Sequence, residues 1–139
     1  MTDHAARYKT SLESLSPQTL ENLSDYVVPS VRFKDPFNDV TGIEPMQRIL
    51  KDMFDQVENV KFTVRQIMSD GNRCLMEWRF EGRLRGKDWS FDGTSSIVFS
   101  GDGRVQSHID YWDAAENFHQ HLPVIGSVIR WINGRVAVH

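Results

Sequence analysis

Cysteine is almost missing from this chain. Cys74 stands alone, so no disulfide can close within it, and the cytoplasm, a reducing compartment, is the expected setting. Its expected role is that of a small core filler. Long apolar runs are missing too. No stretch approaches the roughly 18 residues of a membrane span, and the opening MTDHAARYKTSLESL lacks the charged-then-apolar order of a secretion signal. Nor is there a surplus of positive charge: 16 Lys and Arg stand against 19 Asp and Glu, with no basic cluster, which argues against nucleic acid as a partner. No repeat, linker or low-complexity segment divides the 139 residues, and a single domain over 1–139 is expected.

What is present divides into a helical first part and a stranded second part. Ala6, Tyr8, Leu12 and Leu15 fall at roughly helical spacing over residues 3–15. Ser16 and Pro17 then read as N-cap and first-turn proline of a short helix over 17–23. Tyr26 to Phe33 is rich in β-branched and aromatic residues and carries Pro29, the pattern of an edge strand. Thr41 and Glu44 have the spacing of a capping box, and Met46, Ile49, Leu50, Met53, Phe54 and Val57 recur on one face, predicting a helix over 43–57.

From Asn59 onward the period becomes two. Val60, Phe62 and Val64 alternate with Lys61, Thr63 and Arg65, and Asp70-Gly71 marks a tight turn. In RCLMEWRFEGRL, Cys74, Met76, Trp78 and Phe80 share one face and charged residues the other. Turns at Gly86 to Asp88 and at SGDGR separate two further strands, WSFDGTSSIVFS and VQSHIDYWD, which makes four consecutive antiparallel strands. The end of the chain reads as two short helices broken at Pro123, with Gly134 as a stop signal. Helices followed by a meander predict an α+β domain: a cone-like, strongly bent antiparallel sheet with helices packed on its concave face, enclosing a cavity.

This order of elements, together with KDP at the end of the first strand, the turn F-x-G-x-G-R-V and HIDYWD in the last strand, resembles the nuclear transport factor 2-like superfamily over nearly the whole chain. The branches it is most similar to are the SnoaL-like polyketide cyclases, the ketosteroid isomerases and the limonene epoxide hydrolases. The resemblance to ketosteroid isomerases implies a general base at Asp35. Burial would raise its pKa and make it a better proton acceptor near neutral pH, a logic known from that enzyme. Read from local chemistry alone, Asp35, Pro36, Asn38 and Asp39 are turn residues. The isomerase acid falls here on Ser95, and Tyr8, the candidate oxyanion donor, lies about one helical turn from its expected place. The Arg-x-Asp pair of the epoxide hydrolases falls on Gly93 and Ser95, although Asp110 matches one of their acids. Similarity to the cyclases implies a role for Asp113, which is equally an N-cap for the helix that follows.

Period two places His108, Asp110 and Trp112 on one strand face and Asp113 on the other, so His108 and Asp110 can share a proton relay. The expected binding wall comprises Phe33, Met76, Trp78, Trp89, Phe91, Ser95, Ile97, Phe99 and Trp112. These residues are equally suited to plain core. His119 and His121, two apart on a predicted helix, point in different directions, so neither a metal site nor a cofactor is expected. The expected function is binding of a small hydrophobic carbonyl compound, with isomerisation or cyclisation by proton transfer. A noncatalytic ligand-binding protein is the alternative. The resemblance further implies a homodimer formed through the outer face of the sheet.

Overall fold

The computed structural model describes residues 3–114. The C-terminal features, Pro123, Gly134, His119 and His121, lie outside the described residues. Helix α1, His4–Glu13, is capped by Asp3, whose side chain accepts the Ala6 N–H, and buries Ala5, Tyr8 and Leu12 on one face. Ser16 and Pro17 precede a 3-10 helix, Thr19–Asp25, rather than starting an α-helix, and Ser16 accepts the Thr19 N–H through both its carbonyl and its hydroxyl.

Strand β1, Val27–Lys34, is followed by the short strand β2, Asp39–Thr41, and then by helix α2, Ile43–Gln56. The expected capping box does not form. Thr41 is held in the β2 ladder opposite Arg32, and the α2 N-cap is Gly42, with φ of 112° and no side-chain cap. Four long elements complete the fold: β3 (Val57–Asp70), β4 (Arg73–Leu84), β5 (Lys87–Phe99) and β6 (Val105–Tyr111). The β3–β4 turn carries Gly71 at positive φ. The β4–β5 turn is the pair Arg85-Gly86, both at positive φ, the handedness that matches strand twist, so β5 begins within the predicted turn.

The sheet is curved and unclosed, with strand order β2-β1-β6-β5-β4-β3, and the helices cover its concave face. The four long strands pair antiparallel in sequence order, as their alternation predicts. β1 departs from the edge position read from Pro29. It lies inside the sheet, antiparallel to β2 and parallel to β6, and Pro29 falls in a register break between Val27 and Arg32 where its missing N–H interrupts no regular ladder. Asp39, read as a turn residue, pairs with Lys34 and clamps Arg32 through two hydrogen bonds.

The core runs between sheet and helices, with Val27, Val31, Met46, Met76, Ile97 and Val105 sealed within it. Cys74 is buried and free, and burial pushes its thiol up to about 11. Among the described residues, the polar Ser95 and His108 are buried in this interior. Among the described residues no helix is long and apolar enough to cross a membrane.

Candidate functional site

Asp35 sits in the four-residue connection from β1 to β2, where it is the turn residue read from local chemistry. One carboxylate oxygen, Oδ1, accepts the backbone N–H of Phe37 and of Asn38, each at 2.8 Å, and the Asn38 side-chain amide at 3.0 Å. This is an Asx turn with a side-chain brace. The same carboxylate faces a cavity. Burial raises its pKa and the charge of Asp110 adds to the rise, against the opposing hydrogen bonds from Phe37 and Asn38.

The cavity has a volume of about 140 Å³ and is lined by Phe33, Phe37, Phe80, Trp89, Phe91 and Trp112, by Ile49, Leu50 and Met53 of α2, and by the carboxylates of Asp35 and Asp110. Its rings form a tier: Phe80 stacks on Phe91 at 4.9 Å between centroids, and Phe91 on Trp112 at 4.4 Å. A smaller cavity of about 80 Å³ adjoins it, sharing Phe33, Leu50, Met53 and Asp110 and adding His108. Among the described residues, Asp35 and Asp110 also line an open depression between the ends of β1 and β6. The two acids therefore line both the enclosed space and this depression.

Behind Asp110 runs a buried string of hydrogen bonds. His108 Nε2 lies 2.7 Å from Asp110 Oδ1, and Tyr8 Oη lies 2.7 Å from His108 Nδ1. With Asp110 ionised, Nε2 carries the proton and Nδ1 accepts from the Tyr8 hydroxyl. Tyr8 keeps that proton, because burial, followed by the charge of Asp110 and by Cys74, raises its pKa above the ordinary tyrosine value. Ser95 Oγ donates to the same Asp110 Oδ1 at 2.5 Å and accepts from Trp78 Nε1 at 2.8 Å. Ser95 Oγ and Asp110 thus share one histidine nitrogen, whereas a serine-hydrolase triad needs them on opposite nitrogens.

The structure brings Asp35 and Asp110 to one cavity and places His108 at the adjoining one. Of the expected wall, Phe33, Trp89, Phe91 and Trp112 line the larger cavity. Met76, Trp78, Ser95, Ile97 and Phe99 are buried in the core and line neither. Tyr8 lines neither as well, since its hydroxyl is turned to His108. Asp113 is exposed and away from both, so Asp110 is the acid that follows the pocket face. Sequence reasoning missed Asn38 as the brace of Asp35 and the part of α2 in the wall. Leu50 and Met53 lie in the apolar stripe that predicts the helix, and that stripe does not tell core from cavity lining.

A family model described as SnoaL-like domain matches residues 8–108. Among curated proteins none matches. Many solved structures share the fold. A protein with a ketosteroid isomerase-like fold from Catenulispora acidiphila DSM 44928, in complex with trimethylamine, is 16% identical with a TM-score of 0.71, over 86% of this chain and 92% of the other. A nuclear transport factor 2-like protein of unknown function from Burkholderia pseudomallei K96243 is 15% identical with a TM-score of 0.74, over 84% and 95%. TerC, co-crystallised with polyporic acid, is 17% identical with a TM-score of 0.70, over 84% and 93%.

Proposed function

The chain belongs to the SnoaL-like domain family, and from this membership and the acid-bearing cavity we propose that it binds a small apolar carbonyl compound and moves a proton on it. The observation that carries the proposal is the convergence of Asp35 and Asp110 on one aromatic-walled space. A carboxylate whose pKa is raised by burial is a stronger base than an exposed one. Asp35 takes a proton from the carbon beside the carbonyl, and its braced turn holds it in place. Asp110, backed by His108, serves as acid or relay at the carbonyl oxygen, and Tyr8 acts through His108 by fixing its tautomer. Return of the proton to another carbon completes an isomerisation; attack of the enolate on a second carbonyl would complete a cyclisation.

A cavity near 140 Å³ matches a ligand of about one ring, since an engineered apolar cavity of roughly 150 Å³ holds benzene. Two structures of this fold, crystallised with trimethylamine and with polyporic acid, are consistent with a small organic ligand. Cyclohex-3-enone is a suitable probe. Its conversion to the conjugated isomer, followed by ultraviolet absorbance, should be catalysed by the wild type and abolished by Asp35→Asn, with binding retained. Binding without turnover would support the noncatalytic alternative, which is favoured by one observation: the Tyr8 hydroxyl, the expected oxyanion donor, is turned away from the cavity.

The same reading covers the setting of the protein. One SnoaL-like domain occupies residues 1–139, the lone Cys74 suits the cytoplasm, and two copies pair through the outer sheet face, where Met68, Leu75 and Tyr111 are exposed.

A further inference from the structure

We infer that Ser95, aimed by the Trp78 indole, is a positioning residue that turns Asp110 so that its second carboxylate oxygen faces the cavity. The inference rests on reading Asp110 as a working acid of that cavity. Ser95 is fully buried and lies directly across the β5–β6 ladder from Asp110. Its hydroxyl has one proton and a choice of neighbours. The indole N–H of Trp78 can only donate, so Ser95 Oγ accepts there, at 2.8 Å. His108 Nε2, at 3.3 Å, already carries the proton it gives to Asp110. The Ser95 proton therefore goes to Asp110 Oδ1. With Ser95 and His108 both fixed on Oδ1, the carboxylate cannot rotate freely, and among the described residues Oδ2 has no hydrogen-bond partner. That oxygen is the one available to the cavity.

Trp78 reaches Ser95 because of Gly93. The two face each other across the β4–β5 ladder, and a Cβ on Gly93 would fall 2.4 Å from the Trp78 ring. The bare strand lets the ring lie over position 93 and extend to position 95, the next residue on the same face. Where the resemblance to related enzymes places a carboxylic acid, this chain has a serine that holds the acid of the neighbouring strand.

The test uses the whole 139-residue chain and two readouts. The first is the titration of Asp35 followed by carbon NMR, since the charge of Asp110 contributes to the raised Asp35 value. Asp110→Asn should bring the Asp35 midpoint down. Ser95→Ala should move it part of the way in the same direction, and Ser95→Thr, which keeps the hydroxyl, should restore it. The second readout is turnover of cyclohex-3-enone. Ser95→Ala should lower kcat by about tenfold to a hundredfold with little change in KM, and Ser95→Thr should recover it. Should Ser95→Ala not fold, Ser95→Cys, a weaker donor of similar size, should shift both readouts the same way. An Asp35 midpoint identical in the wild type and in Ser95→Ala would overturn the inference. Absence of turnover by the wild type would instead defeat the proposed reaction, and the titration would still decide the role of Ser95.

Discussion

Tyr8 on helix α1 and His108 on strand β6 are joined by a buried hydrogen bond of 2.7 Å between Oη and Nδ1. The tyrosine ring also packs edge-on against the imidazole, with centroids 5.7 Å apart, so this contact anchors α1 to β6 as well as setting the histidine tautomer. Tyr8→Phe keeps the ring and removes the donor. The His108 acceptor is then left buried without its partner, and stability should fall by about 1–3 kcal/mol, measured as a lower urea midpoint with an unchanged slope. An unchanged midpoint would show that the bond contributes nothing net.

Asp35 combines a cost and a benefit that two substitutions separate. Asparagine keeps the acceptor for the Phe37 and Asn38 N–H groups, whereas alanine leaves both without it. Asp35→Ala should therefore be less stable than Asp35→Asn by about 1–2 kcal/mol. The pH dependence has a definite sign. The folded-state pKa is raised, so as pH climbs through the window between the ordinary aspartate value and the raised one, the unfolded chain releases its proton first and the wild type loses stability relative to Asp35→Asn. The difference should be flat below and above that window. A difference growing in the wild type's favour as pH rises would contradict the desolvated placement. Turnover should fall on the acid side at a higher pH than an ordinary aspartate would give.

Gly93→Ala tests the notch beneath Trp78. The new Cβ would meet three ring atoms of Trp78 at 2.4 to 2.9 Å, and the indole must tilt or the strands must part. A loss of about 1–3 kcal/mol is expected, together with loss of the Trp78 indole N–H protection against solvent exchange. Retained protection would mean that the ring has another way to reach Ser95.

Pairing through the outer sheet face has its own test. Met68 and Leu75 are cross-strand partners, 69% and 49% exposed, where a lone β-hairpin surface would be expected to carry polar side chains. Leu75→Glu should convert a dimer to a monomer in light scattering at micromolar concentration while leaving far-ultraviolet circular dichroism unchanged. A wild type that is monomeric under those conditions would rule out the pairing.

The fold was legible where local pattern and tertiary role coincide. The alternation of Cys74, Met76, Trp78 and Phe80 announces a strand with one buried face, and all four are buried. It was misread where a neighbour in space decides. Pro29 marks an edge only if no bulge absorbs it, and Thr41 caps a helix only if it is free of a strand. The site divides in the same way. His108 and Asp110 could be placed on one face by alternation, whereas Asp35 is singled out by the resemblance of its KDP segment and reads locally as a turn residue. That Ser95 bonds Asp110, and that Gly93 admits Trp78, depends on cross-strand register, which side-chain alternation does not encode.

The parallel pairing of β1 with β6 bears on how the molecule reaches its native state. Phe33 lies opposite His108, so the two strands that deliver Asp35 and Asp110 are separated in sequence by β2, α2 and the strands β3 to β5. Hairpins β3–β4 and β4–β5 close short loops and can form early, whereas the β1–β6 ladder must close a loop spanning most of the chain. Contact order therefore predicts that the acid pair assembles late in folding. A chain halted before β6 docks could hold its hairpins in native register and still have no binding site.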